Sequence, residues 1–558
     1  MKAFATLLDR LVLTPSRNGK LKLIADYFRE TPDPDRGYGL AALAGTLDLR
    51  SVKPALLREL VLERLDPVLF QYSYDYIGDL AETIALVWDA GEKDDTTDEE
   101  QPRLGHVVHL MNSLGRTEVR SAVRDLLDHL DPSSRFAFLK LATGSLRIGV
   151  SARLVKQALS DFSGSDMSGS AGEGAGEGKD IIEIETLWHG LAPPYEPLFA
   201  WLEGKAEKPV LATPAIFHSV MLANPVEEGD LEKLDPADYA AEWKWDGIRV
   251  QMSSYGGTKK LYSRSGDDIT GAFPDIVDAI NFEGVADGEL LVGGTQRSNN
   301  PTRTFSDLQQ RLNRKTVTPR MLDEYPAFVR TYDLLFDGDQ DVRARTFFDR
   351  RARLAEVIGK APHDRFDLSE LVPFSAWDEL DRLRIAPPDP VIEGVMIKRK
   401  DSPYQAGRLK GPWFKWKRDP YNVDAVMLYA QRGHGKRSSY YSDFTFGVWS
   451  DTPEGEQLVP VGKAYFGFTD AELEVLDKFV RDNTVERFGP VRAVRAEPGF
   501  GFVLEVAFEG INRSTRHKSG VAMRFPRISR LRPDKLPRDA DRLSTLTAMV
   551  EAKTSTQT

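Results

Sequence analysis

Residues 242–251 read EWKWDGIRVQ: a lysine set between two tryptophans, then Asp-Gly and an arginine. Lysine buries its aliphatic stem readily but keeps its ammonium in water, so indoles on both sides of Lys244 leave two readings. One is a strand lysine snorkelling from the rim of a core. The other is a lysine whose ammonium must lose its proton and act as a nucleophile. At the reference pKa of about 10.4 only about one lysine in 2,500 is neutral at pH 7, and apolar burial or crowding by other cations lowers that pKa. Just downstream, Ile248, Val250 and Met252 alternate with Arg249 and Gln251, the pattern of a half-buried strand.

The stretch lies in a β-rich middle region. From Pro209 onward short runs such as "KKLYSRSG", "VADGELLVGG", "AFVRTYDLLFDGD" and "VIEGVMIKRK" are punctuated by glycine-containing turns. The text before it is helical: "PALLRELVLERLD" (54–66), "DLAETIALVWDAG" (79–91) and "RSAVRDLLDHLDPSSRFAFLKLATG" (120–144) repeat apolar residues at helical spacing. A Gly/Ser/Glu tract, residues 163–178, has almost nothing to bury and reads as a flexible loop. After Pro420 about five strands over about 110 residues suit a small Greek-key barrel of the OB type. The expectation is a multidomain α+β chain: an all-α region over 1–205, an α+β domain over 206–418 and an OB-fold barrel over 419–558.

With 558 residues the chain exceeds one hydrophobic core. No uncharged apolar run approaches a membrane span of about 18–20 residues, and the charged, amphipathic N-terminus is unlike a signal peptide. The absence of cysteine excludes disulfides, thiol nucleophiles and Cys-ligated zinc. A cytoplasmic protein without membrane contact is the simplest reading. The net charge of −11 argues against a nucleic-acid partner, but charge is segregated. Met396–Arg418 holds eight Lys/Arg and one acid, Ile511–Arg538 nine and one, while Asp89–Gln101 holds seven acids and one lysine. A local basic surface is what phosphate contact requires.

The middle region also collects chemistry. Lys244, Arg249, Arg264, Lys398, Lys415 and Lys417 are cations, and Glu289 and Glu393 are carboxylates in strand contexts. Cations neutralise phosphate oxygens, while hard oxygen ligands hold Mg²⁺, so the set fits a nucleoside triphosphate with a divalent metal. No GxxxxGK[ST] loop is present to make the lysine a mere phosphate cradle. Attack by a neutral Lys244 on an α-phosphate would release pyrophosphate and leave a P–N bond able to drive a second transfer.

The order "EWKWDGIRVQ", "SRSG", "DGEL", "TYDLLFDG", "EGVMIK", "WFKWK", "RFPRISRLRPDK" resembles the ATP-dependent DNA ligases motif by motif. Upstream, "LVLTPSRNGKLKLIADYF" and "KLATGSLRIGVSARLVKQAL" resemble the helical DNA-binding domain of larger, prokaryotic repair-type members, and "MLANP" the lead-in to their adenylation (nucleotidyltransferase) domain. The resemblance implies that Lys244 is adenylated by ATP, Glu242 sits at the adenine amino group, and Arg249 and Arg264 hold AMP or the nick 5′-phosphate. It implies that Glu289 contacts ribose or metal, Glu393 the Mg²⁺ or Mn²⁺, and Lys398, Lys415 and Lys417 the α-phosphate. Tyr332 takes the adenine-stacking position. Arg408 joins the nucleotide contacts, although Leu409 follows it where many members carry a second arginine. Arg524, Arg527, Arg530, Arg532 and Lys535 form the arm that meets the β- and γ-phosphates. Arg17, Lys20, Arg147 and Lys156 are the expected DNA phosphate contacts of the helical region.

The implied activity is ATP-dependent sealing of nicks in duplex DNA by a monomer. It proceeds through lysine-AMP and DNA-adenylate and joins 5′-phosphate to 3′-hydroxyl in repair or replication. The motifs single out no helicase or nuclease partner. Capping guanylyltransferases and RNA ligases share the lysine motif, but capping enzymes lack the helical region. NAD-dependent DNA ligases usually carry a four-cysteine module that this chain cannot build. A catalytically dead DNA-binding scaffold would have lost Lys244 or a metal carboxylate, and neither is lost.

Overall fold

The computed structural model of the chain describes residues 1–47, 49, 52–77, 79–89, 101–115, 117–144, 146, 149–164, 178–211, 214–296, 298, 300–312, 314, 317–432, 440–453, 455–488, 491–514 and 517–555. Arg147, most of the acidic run 89–101 and most of the tract 163–178 lie outside the described residues. Two compact units emerge: residues 1–219 with 253–260, and residues 220–252 with 261–558.

Before residue 205 the described residues form twelve helices, from Lys2–Leu13 to Glu196–Leu202. Their apolar stripes converge on one core that includes Leu11, Phe28, Val107, Phe138 and Leu159. The run 120–144 is two helices, Val119–His129 and Pro132–Ala142, because Asp131 caps the second by accepting from Ser134 N at 2.8 Å and Pro132 takes its first turn. The unit runs on to Ser219, past the expected boundary at 205/206. Phe217 lies against His189 at 4.7 Å and Ser219 donates to Glu185 at 2.5 Å, so this segment packs with the helices.

Seven strands, all in the second unit except for residues 253–260 at the β2–β3 turn, frame the middle region: β1 (Tyr239–Trp245), β2 (Ile248–Tyr255), β3 (Thr258–Ser263), β4 (Gly284–Val292), β5 (Ala327–Asp337), β6 (Ile392–Arg399) and β7 (Trp413–Lys417). One sheet runs Asn224–Pro225, β7, β6, β1, Leu371–Val372; the other runs β3, β2, β4, β5, Gln340–Asp341, with Phe366–Leu368 parallel to β5. β2 differs from the half-buried expectation. Gln251, Ser253 and Ser254 are buried as fully as Val250 and Met252, because β2 is an inner strand with both faces covered. Gln251 meets the requirement for a partner by donating to the buried Asp287 at 2.9 Å.

The rest of the unit is a β-barrel built from β8 (Tyr421–Arg432), β9 (Tyr441–Thr452), β10 (Gly455–Ala464), β11 (Thr484–Phe488), β12 (Val491–Val494), β13 (Val503–Phe508), β14 (Gly510–Arg513), β15 (Val521–Arg524) and β16 (Arg527–Leu531). The long β8 pairs β9 on one edge and, on the other, β13 through Tyr421–Val426 and β12 through Tyr429–Gln431. That bend closes an OB-like barrel around Val423, Phe444, Phe446, Leu504 and Phe508. A helix at Asp470–Asp482 starts with a Thr469/Glu472 capping box. Nine strands among the described residues replace the expected five. The additional ones include the basic text of β15 and β16, so residues 527–531 of the "RFPRISRLRPDK" segment are part of the barrel wall.

Candidate active site

A cavity of about 410 Å³ is lined by β1, β2, β4, β5, β6 and β7 and by Glu509, Arg524 and Phe525 of the barrel. Its chemistry follows from strand register. On the central β6, Gly394 pairs with Lys244 of β1 on one side and Lys417 of β7 on the other. Glu393, the residue before it, therefore lies between two ammoniums, in contact with Lys244 and 3.2 Å from Lys417. Burial would raise the Glu393 carboxyl, but Lys244 and Lys417 more than offset that and hold it below the ordinary value. Trp245 packs with Leu291, Phe328 and Ile392, and Trp243 is shared by this cluster and its neighbour. Gly247 is required by close approach, since a Cβ there would lie 2.5 Å from the Leu290 carbonyl oxygen of β4.

Cations without carboxylate partners gather beside this ion-pair chain. Among the described residues Lys415, Arg264 and Arg408 form no ion pair. Lys415 is lowered from the ordinary lysine pKa by burial first, then by the charges of Arg408, Lys417, Lys244 and Arg264. Arg408 does not line the cavity but is near enough to act on Lys415. Glu289 is pushed up to about 7, chiefly by burial; Lys244 opposes the shift and Glu393 adds to it.

The deep end holds Glu242, buried, with Arg351 on one oxygen at 2.8 Å and Lys398 on the other at 2.5 Å. Lys398 is buried among the rings of Tyr332, Phe347 and Trp413, at 4.6, 4.8 and 4.5 Å from their centroids. Burial lowers it from the ordinary value, against the pull of Glu242. Arg249 donates to the Met221 carbonyl at 2.5 Å, to Asp287 at 2.6 Å and to the Tyr404 hydroxyl at 3.0 Å, and its guanidinium lies 5.8 Å from the Tyr332 ring centroid.

Of the described C-terminal basic residues, only Arg524 lines the cavity, where it pairs with Asp246. Phe525 beside it has φ of 51° and an exposed ring, a left-handed conformation that costs a bulky residue roughly 1–3 kcal/mol. Arg527 and Arg530 lie on β16. Arg532 and Lys535 are instead drawn to Asp424 on the barrel, with Arg532 at 3.1 Å, so the expected five-residue phosphate arm is not gathered at the cavity. In the helical unit Arg17 is exposed and Lys20 donates to the Gly149 carbonyl at 3.0 Å. Lys156 is buried, 3.9 Å from Glu185 and over the Trp188 ring at 5.7 Å, a core position rather than the surface phosphate contact expected of it.

Sequence reading missed Asp246, Asp287, Arg330, Arg351, Tyr404 and Glu509. Asp287 sits in the quoted "DGEL", so a signal existed; Glu509 comes from another part of the chain, donated to by Lys417 at 3.0 Å, and carried none. Arg330 lies across from Glu289 on β5, holds Asp367 at 2.8 Å and stacks under Trp245 at 4.0 Å.

Three family descriptions match in chain order: DNA ligase N terminus over residues 1–160, ATP dependent DNA ligase domain over 220–417, and ATP dependent DNA ligase C terminal region over 437–535. A probable DNA ligase of Koribacter versatilis (strain Ellin345) is 33% identical over 438 residues, covering 74% of this chain and 71% of that protein. DNA ligase 1 of Korarchaeum cryptofilum (strain OPF8) is 29% identical over 574 residues, covering 99% and 98%. The solved structure named Pmar-Lig_PreS3 matches 95% of this chain and 99% of its own with a TM-score of 0.58 at 17% identity, a likeness of fold. No helix among the described residues is long and apolar enough to cross a membrane. Relatives, fold and motif order agree: the chain belongs to the ATP-dependent DNA ligase family.

Proposed function

We propose that the cavity binds ATP and that Lys244 attacks its α-phosphorus. The N–P bond forms as the P–O bond to pyrophosphate breaks, and the AMP then passes to the 5′-phosphate at a nick. The adjacent 3′-hydroxyl displaces AMP to close the strand. The observation that carries this reading is the cluster of Lys415, Arg264 and Arg408, cations without ion-pair partners among the described residues, beside the Lys244–Glu393–Lys417 chain. Like charges brought together without counter-ions await an anion of several charges, and a triphosphate supplies it.

Glu242, Lys398 and Tyr332 form the base end of the nucleotide site in this reading. Arg351 and Lys398 fix both Glu242 oxygens in place, and the Tyr332 ring offers a stacking face. Arg249, anchored by Asp287 and Tyr404, presents a guanidinium of fixed orientation to the sugar-phosphate. Arg524 reaches the cavity from the barrel and serves the outer phosphates, with Arg527 and Arg530 behind it. Arg17 and Lys20 remain the proposed phosphate contacts of the helical region.

Glu393 and Glu289 are the carboxylates offered to Mg²⁺ or Mn²⁺. Among the described residues no group of three or more His, Asp or Glu could hold an ion by itself, which fits a metal bound by one or two carboxylates and completed by substrate phosphates. When bound, the ion neutralises phosphate charge at the reacting centre. Domain limits near 219/220 and 418/419, action in repair or replication and a cytoplasmic setting complete the proposal. Nick sealing tests it: a duplex with one 5′-labelled nick, ATP and Mg²⁺ should give phosphatase-resistant full-length strand. Sealing by Lys244→Ala at the wild-type rate would overturn the reading.

A further inference from the structure

β10 ends at Ala464, and the next two residues, Tyr465 and Phe466, are aromatics left 62% and 38% exposed. Their ring centroids are 5.3 Å apart with planes tilted by 54°. Large aromatic surface is normally hidden from water, and this pair is held in the open by its backbone. Ile528 N donates to the Phe466 carbonyl at 3.1 Å. At Gly467 φ is 100°, and a Cβ there would lie 2.1 Å from the Ile528 carbonyl oxygen. The loop is thus clamped against β16.

The neighbours of the pair share one chemistry. β16 carries Arg527 and Arg530, neither in an ion pair among the described residues; the turn before it carries the exposed Phe525, and β15 ends on the cavity-lining Arg524. Exposed rings and arginines therefore run together from the cavity along the barrel. Alternating aromatic and cationic groups suit a nucleic acid, whose sugars and bases meet the rings and whose phosphates meet the cations.

We propose that Tyr465 and Phe466 form a DNA subsite outside the catalytic cavity, packing on the sugar edges of the duplex beside the nick while Arg527 and Arg530 take the flanking phosphates. This rests on the nick-sealing reading and adds to it the residues that grip the flank. The contact is apolar, so its removal has a signature that separates it from the removal of a cation. Binding weakens at every salt concentration, yet the slope of log affinity against log salt stays the same, because no counter-ion is released by a ring.

The test uses the full-length protein and a fluorescent nicked duplex, titrated at several salt concentrations. Tyr465→Ser/Phe466→Ser should weaken binding by roughly tenfold or more with an unchanged slope. It should also keep wild-type self-adenylation without DNA and wild-type melting. Tyr465→Phe should bind as wild type, and Arg527→Gln/Arg530→Gln should flatten the slope. Unchanged affinity in the serine pair, or weaker binding only together with lost self-adenylation, would overturn the proposal. So would an equal loss on single-stranded DNA, which would assign the rings to base stacking. Failure of the wild type to bind nicked duplex would instead refute the reading on which the subsite rests.

Discussion

Replacing Lys415 by methionine separates binding from stability. Lys415 is half-buried among Arg408, Lys417, Lys244 and Arg264, with no ion-pair partner among the described residues, and burial and those charges lower its pKa. Those four cations repel its charge. Methionine keeps most of the stem packing and removes that repulsion, so the melting temperature should hold or rise. The proposed α-phosphate instead loses a charge-assisted hydrogen bond worth about 1.5–3 kcal/mol, so self-adenylation at low ATP should fall roughly 10- to 150-fold. Lys417→Met is the contrast. It leaves Glu393 and Glu509, now 3.2 and 3.0 Å from the ammonium, short of a cation. With Lys417 partly exposed, screening holds that loss to about 1 kcal/mol per pair, and each 1 kcal/mol lowers melting by roughly 2–4 °C in a domain of this size. Thermal melting and ATP-dependent self-adenylation of both variants decide the matter. A destabilised Lys415→Met with normal ATP use would refute the phosphate-site reasoning.

Glu289 is raised in the folded state to about 7, so the fold binds a proton there that the unfolded chain has released. Its contribution to stability is present below the ordinary glutamate pKa and is lost as pH rises toward 7; the stability gap between wild type and Glu289→Gln, followed by urea melts from pH 4.5 to 7.5, should therefore shift against the wild type. Asp333 and Arg350 are both fully buried and joined at 2.7 and 3.0 Å, so Asp333→Ala strands a guanidinium and should cost about 3–5 kcal/mol in denaturant titration, where a loss under 1 kcal/mol would contradict the pairing. A protein beginning at Val220 should still self-adenylate but bind nicked duplex with a flatter salt slope, by about 0.9 for each phosphate it no longer neutralises; equal slopes would remove the helical unit from DNA binding.

The strands and the residues lining the cavity were legible because their signals are local. Asp-Gly turns, β-prone runs and strand-borne charges put Lys244, Glu289, Glu393, Lys415 and Lys417 in one domain, and all five line the cavity, Glu289 from the sheet of β2 and β4 and the others from the sheet of β1, β6 and β7. What failed depended on facts that local text does not carry. Lys156 resembles a surface lysine on an amphipathic helix until the helix Ile181–Trp188 covers it with Glu185 and Trp188. Gln251 looked solvent-facing because polar residues usually are, but an inner strand can bury one that meets Asp287. The basic arm was expected to gather at the β- and γ-phosphates, yet Ile528 and Leu531 bind it into the barrel through pairing with Val506 and Leu504. Glu509 and Asp246 acquire their roles from partners 92 and 278 residues away, distances over which no periodicity speaks.

Covalent capture tests the central claim most directly. Incubated with α-labelled ATP and Mg²⁺ and no DNA, then digested and sequenced by mass spectrometry, the protein should carry a single adenylyl group on Lys244. Pyrophosphate or nicked duplex should discharge it, and Lys244→Arg should remain unlabelled. A label on another residue, or undiminished labelling of Lys244→Arg, would contradict the assignment of Lys244 as the nucleophile.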